Sequence, residues 1–222
     1  MRSKRSLARL LLLLALFAPA PAATAEEEAV LAAVSAVGPP SEDAGAAARA
    51  VVESLHGVLL GCMKRADEFG FQGRYDRIAA ELGESFDLIF MARMALGATW
   101  KELAEQERTE FVDLSRRYSA SKYAYNFNGY GGERFETLFH EPAARGTVVV
   151  KTTLVQPKDD DVQFDYRLRS AGGRWRIIDI QLDGKISELT VRRAQYRSLI
   201  RREGFPHLVE SLEEKIDELS RQ

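Results

Sequence analysis

The hydrophobic pattern of this chain changes once, near Glu133, and that change most constrains the fold. Before it, apolar residues recur every three or four positions, as on a helix that buries one side. After it they alternate, as in strands with one covered face. Short turns connect the strands, which implies antiparallel neighbours because a parallel crossover needs about a dozen residues or more. Four strands are predicted, near residues 134–140, 147–155, 162–169 and 174–182.

The third and fourth strands indicate how the sheet is covered. One face of the third strand, formed by Phe164, Tyr166 and Leu168, should be buried. Its alternate residues should face water: Gln163, Asp165, Arg167 and Arg169. The fourth strand is apolar on both sides, which predicts either extra cover or a bulge.

Helices are expected before and after the strands. They are predicted over about 41–69, 75–82, 85–96, 104–127 and 186–203 and from 206 onward, with Ser41 and Ser85 as N-caps and a break at 70–73. This order predicts an α+β fold. The helices should pack on one face of a curved four-stranded antiparallel sheet and enclose an apolar pocket.

The first 25 residues have the pattern of a secretory signal peptide. The first nine residues carry four basic side chains and no acid, residues 10–18 are apolar, and Ala23-Thr24-Ala25 forms a small-residue cleavage site. The alternative is a retained N-terminal anchor. We expect residues 1–25 to be a cleaved signal peptide, 26–45 a flexible segment and 46–222 a single domain. This organisation predicts export across a membrane.

Charge and motifs narrow the class of protein. A net charge of -2, from 31 basic and 33 acidic residues, argues against a nucleic-acid partner. One cysteine and three histidines leave little material for a metal centre, and we find none of the common catalytic motifs. We therefore expect no catalytic residues, no metal and no cofactor. Cys62 lies in a helical apolar stripe and should be a buried thiol.

A row of arginines is the main cationic feature. Arg193, Arg197 and Arg201 recur every four residues and so share one side of a helix. On an acidic protein, this stripe is a candidate docking surface for an acidic partner or for anionic headgroups. The alternative is a solvated face whose arginines pair with nearby acids.

One carboxylate supports an alternative function. Asp179 falls in phase with Trp175 and Ile177, so it should lie in apolar surroundings with a raised pKa. Together with Tyr125 or Tyr166, it could serve acid–base chemistry in an enzyme acting on an apolar substrate. The competing interpretation is an exposed Asp179 or one paired with an arginine.

Two stretches resemble a known family. FDLIFMARMALG at 86–97, followed by Trp100, and WRIIDIQLDG at 175–184 resemble the MlaC family of periplasmic phospholipid-binding proteins, also called the toluene-tolerance family. The run DGKISEL at 183–189 looks closest to the hopanoid-associated HpnM branch of that family. The resemblance implies a soluble carrier with a mixed helix–sheet fold and no established catalytic residues. Its partners would be an outer-membrane lipoprotein complex and the substrate-binding component of an inner-membrane ABC transporter.

A lipid carrier needs an apolar interior. A two-chain lipid has on the order of 30 methylenes, each worth ~0.8 kcal/mol on leaving water. The ligand would be a phospholipid or a hopanoid, and the sequence leaves both open. The alternative for every candidate lining residue is ordinary core. The candidates are Phe90, Met94, Trp100, Phe111, Leu114, Tyr118, Tyr125, Val148, Val150, Leu154, Phe164, Tyr166, Leu168, Trp175 and Ile177.

Overall fold

An open antiparallel sheet occupies the second half of the chain. The structure, a computed structural model, describes residues 42–221. The strands are β1 (Arg134–Ala143), β2 (Thr147–Val155), β3 (Val162–Ala171), β4 (Arg174–Leu182) and β5 (Ile186–Ser187), and they pair in chain order. Four of them confirm the predicted strands. The four-stranded prediction was incomplete, because the two-residue β5 adds a fifth strand at the β4 edge.

Within the described residues, seven α-helices precede and follow the sheet. They are α1 (Glu42–Lys64), α2 (Ala66–Ser85), α3 (Leu88–Leu96), α4 (Thr99–Glu102), α5 (Glu105–Asn126), α6 (Glu188–Glu203) and α7 (Phe205–Ser220). A short 3-10 turn, Ala144–Gly146, joins β1 to β2. The α+β fold class is confirmed.

Several boundaries differ from the prediction. Helix α1 begins at Glu42, so the expected start of the domain at residue 46 lies inside it. It also ends at Lys64, short of residue 69. The predicted break at 70–73 is confirmed at Gly70, whose backbone (φ 57°, ψ -170°) is not helical, so α2 consists of two helical stretches that meet at a kink. The predicted signal peptide and the Ser41 cap lie outside the described residues.

Helix α1 is a core helix. Among the described helices, it is the one long and apolar enough to cross a membrane by length and composition. Its Val52, Leu55 and Leu59 are buried in the core it shares with the sheet. Cys62 is buried in the same core, as predicted, and burial raises the pKa of its thiol.

The interior is divided into two hydrophobic cores. The first, which we call the sheet core, joins α1, α2 and the end of α5 to the apolar face of the sheet. The second, which we call the helical core, lies among α3, α5, α6 and α7. Phe164, Tyr166 and Leu168 are buried in the sheet core, so the predicted covered face of β3 is confirmed.

A bulge in β4 reverses the direction of its side chains. Leu168 pairs with Ile177, but the preceding Arg167 pairs with Asp179, so Ile178 is the extra residue. A bulge was one of the two alternatives predicted for this strand. Because of it, Asp179 faces the side opposite to Ile177, and the expectation that the two are in phase was wrong.

The face of β3 that carries Asp165 is less exposed to solvent than predicted. Asp165 is only 3% exposed, although we expected it to face water. Lys151 Nζ and Gln163 Nε2 each donate a hydrogen bond of 2.9 Å to its carboxylate. The long side chains of Lys151 and Gln163 hydrogen-bond this carboxylate and shield it from solvent. The alternation of apolar and polar residues along the strand does not reveal such shielding.

The two family-like stretches meet at the start of α3. The Asp87 amide donates to the Ile177 carbonyl at 2.9 Å, and the Asp87 carboxylate accepts from the Phe90 amide at 3.0 Å. Arg169 closes an ion pair with Asp87 at 2.6 Å and lies over the Phe90 ring. Asp87, rather than the predicted Ser85, is therefore the N-cap, and it joins α3 to the sheet.

Candidate functional site

Two small cavities lie where the layers meet. The inter-core cavity, about 20 Å³, is bounded by Leu82, Phe86 and Met91 from the sheet core and by Ala92, Ala95 and Tyr196 from the helical core. The sheet cavity, also about 20 Å³, lies between the end of α5 and the sheet. Its apolar lining is Phe127, Phe164, Tyr166, Ile180 and Leu182. Each holds about one water molecule, so the interior is closed.

Two side chains separate the cavities. Tyr123 on α5 and Glu188 at the start of α6 line both of them. Tyr123 stacks on Phe127, with 5.7 Å between ring centres. The two cavities therefore adjoin at these two side chains.

A cluster of three charges lies at this boundary. Lys122 Nζ is 2.8 Å from a Glu188 carboxylate oxygen, and an Arg192 nitrogen is 3.9 Å from the same oxygen. The side chains are 13%, 22% and 15% exposed for Lys122, Glu188 and Arg192, so the cluster reaches the surface. Burial acts to raise the pKa of Glu188, but the two cations and the Lys122 hydrogen bond outweigh burial and lower this pKa to about 2.

The inter-core cavity also has hydroxyl groups. Ser115 and Ser119 line it from α5, and Arg192 donates a weak hydrogen bond of 3.4 Å to Ser119 Oγ. The Tyr196 side chain is 5% exposed, and its hydroxyl is one of two buried side-chain polar atoms without a partner in the described part of the chain. An unpaired buried hydroxyl costs about 1–3 kcal/mol, which is atypical of a filled core.

The predicted lining residues divide between the two cores. The sheet core contains Val148, Val150, Leu154, Phe164, Tyr166, Leu168 and Ile177, with Phe90 and Trp175 packed against it. The helical core contains Phe111, Leu114 and Tyr118, with Trp100 packed against it. Met94 and Tyr125 are half-buried and belong to neither core. Of this set, Phe164 and Tyr166 line one of the two cavities.

The sequence analysis missed the residues at the boundary. Glu188, Arg192 and Tyr196 follow one another at intervals of four along α6. A second series of polar and aromatic residues follows α5 at the same interval: Ser115, Ser119 and Tyr123. These two helical stripes, in which hydroxyl and charged groups lie among apolar residues, are the sequence pattern that could have identified the boundary residues.

The arginine stripe lies on the other side of α6. Arg197 and Arg201 are exposed, and Arg193 is half-buried with its guanidinium beside Gly97. The adjacent Arg192 points instead to the charge cluster. The helix therefore presents one cationic face outward and a single cation inward.

Asp179 and Tyr166, two of the residues proposed for an enzyme, do not lie together. Asp179 accepts hydrogen bonds from the Ser187 hydroxyl and from the Ile180 and Leu189 amides, which fixes the start of α6. Burial raises the pKa of Asp179, and these hydrogen bonds act against the rise. Tyr166 faces the opposite side of the sheet, where its hydroxyl lies 3.1 Å from His56 Nε2. The Asp179 carboxylate and the Tyr166 hydroxyl therefore cannot act on the same substrate atom.

The described residues offer little for a metal. Within residues 42–221, no group of three or more histidine, cysteine, aspartate or glutamate side chains could hold a metal ion. The chemistry available at the cavities is apolar contact, hydroxyl donation and two cations beside one carboxylate.

These features define a class of protein: an α+β domain whose helices and antiparallel sheet close around apolar spaces with a charged rim. The family model described as MlaC protein matches residues 59–214, and the chain belongs to the MlaC family. This membership confirms the predicted resemblance, while the HpnM branch stays a prediction. No match was found among curated proteins.

A solved structure shares the fold. It is the phospholipid-binding protein from Ralstonia solanacearum in complex with a phospholipid, with a TM-score of 0.68 and 20% sequence identity. The similarity covers 78% of this chain and 98% of that one. The arrangement of helices on the antiparallel sheet is therefore that of a known domain.

Proposed function

We propose that this protein is a periplasmic lipid carrier that binds a phospholipid or a hopanoid between its two cores. One observation carries the proposal: a cavity at the boundary of the cores and a second cavity against the sheet share two lining residues, Tyr123 and Glu188. Membership in the MlaC family and the phospholipid held by the Ralstonia protein support it.

Binding requires the cores to separate. Two spaces of about 20 Å³ each are too small for an acyl chain, so binding requires them to widen. The wall between the cores includes small side chains, Ala92, Ala95, Ser115 and Ser119, which interlock little with their neighbours. The acyl chains would replace core-to-core contacts with lipid contacts, so the apolar surface stays out of water in both states.

The carrier would work between membranes. We propose that residues 1–25 direct export, that 26–41 link the signal to the domain, and that the domain exchanges lipid with an outer-membrane lipoprotein complex and an inner-membrane ABC transporter. Catalysis has no place in this function. The hydroxyl and carboxylate groups near the cavities serve as binding or structural groups.

Lipid that co-purifies with the protein tests the function. We expect native mass spectrometry of protein taken from the periplasm to show a bound species with the mass of a lipid. Chromatography of an organic extract should identify it. After the lipid is removed, the protein should take lipid up again from vesicles. Repeated absence of bound lipid together with absence of uptake would overturn the proposal.

The arginine stripe should serve docking rather than binding. We expect Arg193→Glu with Arg197→Glu to slow lipid transfer to membranes that carry the transport complex about tenfold, because reversed charges oppose an acidic partner surface. Lipid bound per protein should be unchanged. The matched control is Lys215→Glu with Arg221→Glu, which makes the same charge change at exposed positions in α7 and directly after it. If the double variant lost its bound lipid but still bound the transport complex as the wild type does, the docking role would be contradicted.

A further inference from the structure

The charge cluster is placed where a lipid headgroup would lie. Lys122 borders the sheet cavity, Arg192 borders the inter-core cavity, and Glu188 borders both. All three side chains are partly exposed. Acyl chains that filled the joined cavities would therefore leave their polar end beside these groups.

The cluster carries one excess positive charge. Two cations flank one carboxylate, and the pKa of Glu188, lowered to about 2, keeps that carboxylate ionised at neutral pH. A phosphodiester also carries one negative charge. A phosphodiester could therefore replace the Glu188 carboxylate. It would accept the same charge-assisted hydrogen bonds from Lys122 and Arg192.

Further donors stand next to this position. The buried hydroxyl of Tyr196 has no hydrogen-bond partner. Burial raises the pKa of Tyr196, and the nearby Arg192 cation partly offsets this rise. The Arg192 guanidinium also donates a hydrogen bond of 3.4 Å to the Ser119 hydroxyl oxygen. The inter-core cavity thus offers polar donors at one end and apolar side chains at the other, which matches a molecule with a polar head and an apolar body.

We propose that Lys122 and Arg192 form a seat for the phosphate of a lipid headgroup, and that the Glu188 carboxylate occupies this seat when no lipid is bound. The inference rests on the proposed carrier function and names its ligand class. Entry of the phosphate displaces Glu188, which removes the wall between the two cavities. Binding of the head and opening of the apolar space are thereby linked.

The seat selects for lipids that carry a phosphodiester. An uncharged lipid leaves both cations paired with Glu188 and gains no new ionic hydrogen bond. Because an uncharged lipid cannot replace the carboxylate between the two cations, it leaves Glu188 in place, and we expect the preference for a phosphodiester lipid to be tenfold or more. A phospholipid is therefore favoured over an uncharged hopanoid.

Uptake from vesicles of two compositions tests the seat. The donor vesicles contain phosphatidylglycerol or, in a neutral background, diacylglycerol, and bound lipid is measured in the intact protein. We expect wild-type protein to take up at least tenfold more phosphatidylglycerol. Lys122→Gln and Arg192→Gln should each lower phosphatidylglycerol uptake about tenfold and leave diacylglycerol uptake unchanged.

The reverse effect is expected from Glu188→Gln. This variant removes the competing carboxylate, so phosphatidylglycerol uptake should rise. The matched control, Lys215→Gln, removes an exposed cation from the neighbouring helix α7 and should have no effect. Arg192→Lys keeps the charge and should bind more phosphatidylglycerol than Arg192→Gln. It remains informative should the glutamine variant fail to fold.

Distinct outcomes separate the seat from the carrier function. Equal uptake of both lipids by wild-type protein, or a fall in uptake for Glu188→Gln as large as that for Lys122→Gln, would overturn the seat and leave the carrier intact. Uptake of neither lipid would overturn both. Saturable binding of inorganic phosphate at micromolar concentration, without lipid, would assign the cations to free phosphate and overturn the headgroup assignment.

Discussion

The variant Ala92→Leu with Ala95→Leu should carry at least tenfold less lipid than the wild type. Both alanines line the inter-core cavity one turn apart on α3. Two leucines add more volume than the cavity of about 20 Å³ contains, so they fill the boundary along which the cores must separate. Lipid is measured by mass spectrometry of extracts from equal amounts of purified protein.

Fold and function are distinguished by a matched control. Overpacking a core costs about 1–3 kcal/mol, so the thermal unfolding midpoint should fall while the circular dichroism spectrum is retained. Ala80→Leu with Ala194→Leu makes the same chemical change at exposed positions of α2 and α6 and should leave the lipid content unaltered. A folded filling variant with wild-type lipid content would show that lipid does not enter at this boundary.

The second large effect is a loss of stability in mild acid, caused by one buried histidine. His56 stacks on Phe135, with 3.9 Å between ring centres, and pairs with the Tyr166 hydroxyl. Burial lowers the pKa of His56 from 6.5 to about 3. Below pH 6.5 the unfolded chain therefore binds a proton that the folded chain does not, and the free energy of unfolding decreases as pH falls.

The size of this effect follows from the pKa difference. One histidine contributes at most about 1.4 kcal/mol per pH unit, or roughly 2–3 kcal/mol between pH 6.5 and 4.5. Above pH 4.5 the lowered pKa of Glu188 adds little to the slope, since its unfolded value is 4.5. Denaturant unfolding at several pH values measures the change.

Replacement of the histidine isolates its contribution. We expect His56→Gln to be less stable at neutral pH, because the stacking on Phe135 is lost, and to show a flatter dependence on pH from 6.5 to 4.5. His207→Gln, which removes an exposed histidine of α7, controls for the loss of a histidine as such. Parallel pH profiles for wild-type protein and His56→Gln would contradict the assignment.

Local pattern was sufficient to predict most of the fold. Alternation and short turns placed four of the strands, and the Ala171-Gly172-Gly173-Arg174 turn explains why one pair had to be antiparallel. Its two central glycines both adopt positive φ, 59° and 78°, as a tight two-residue hairpin requires. The order of helices and strands then indicated the α+β layers, which the structure and the fold shared with the Ralstonia protein confirm.

The site was harder to predict because it depends on register and on space. A single extra residue at Ile178 turned Asp179 away from the sheet core, and alternation counted from Trp175 could not show this. Apolar residues such as Phe111 and Val150 look alike in sequence but belong to different cores. The boundary between those cores is a property of tertiary packing, so its lining residues, Tyr123 and Arg192, had no local signature strong enough to identify them.

The connection of Asp87 to Ile177 and Arg169 restricts how the protein can open. Because its N-cap residue Asp87 ties α3 to β3 and β4, the helix cannot translate away from the sheet without breaking three polar interactions. It can pivot about that end, so the widest displacement would occur at Leu96 and Gly97. Gly97 lies beside the Arg193 guanidinium, where α6 presents its cationic face. A partner that engages that face would thus press directly on the swinging end of α3.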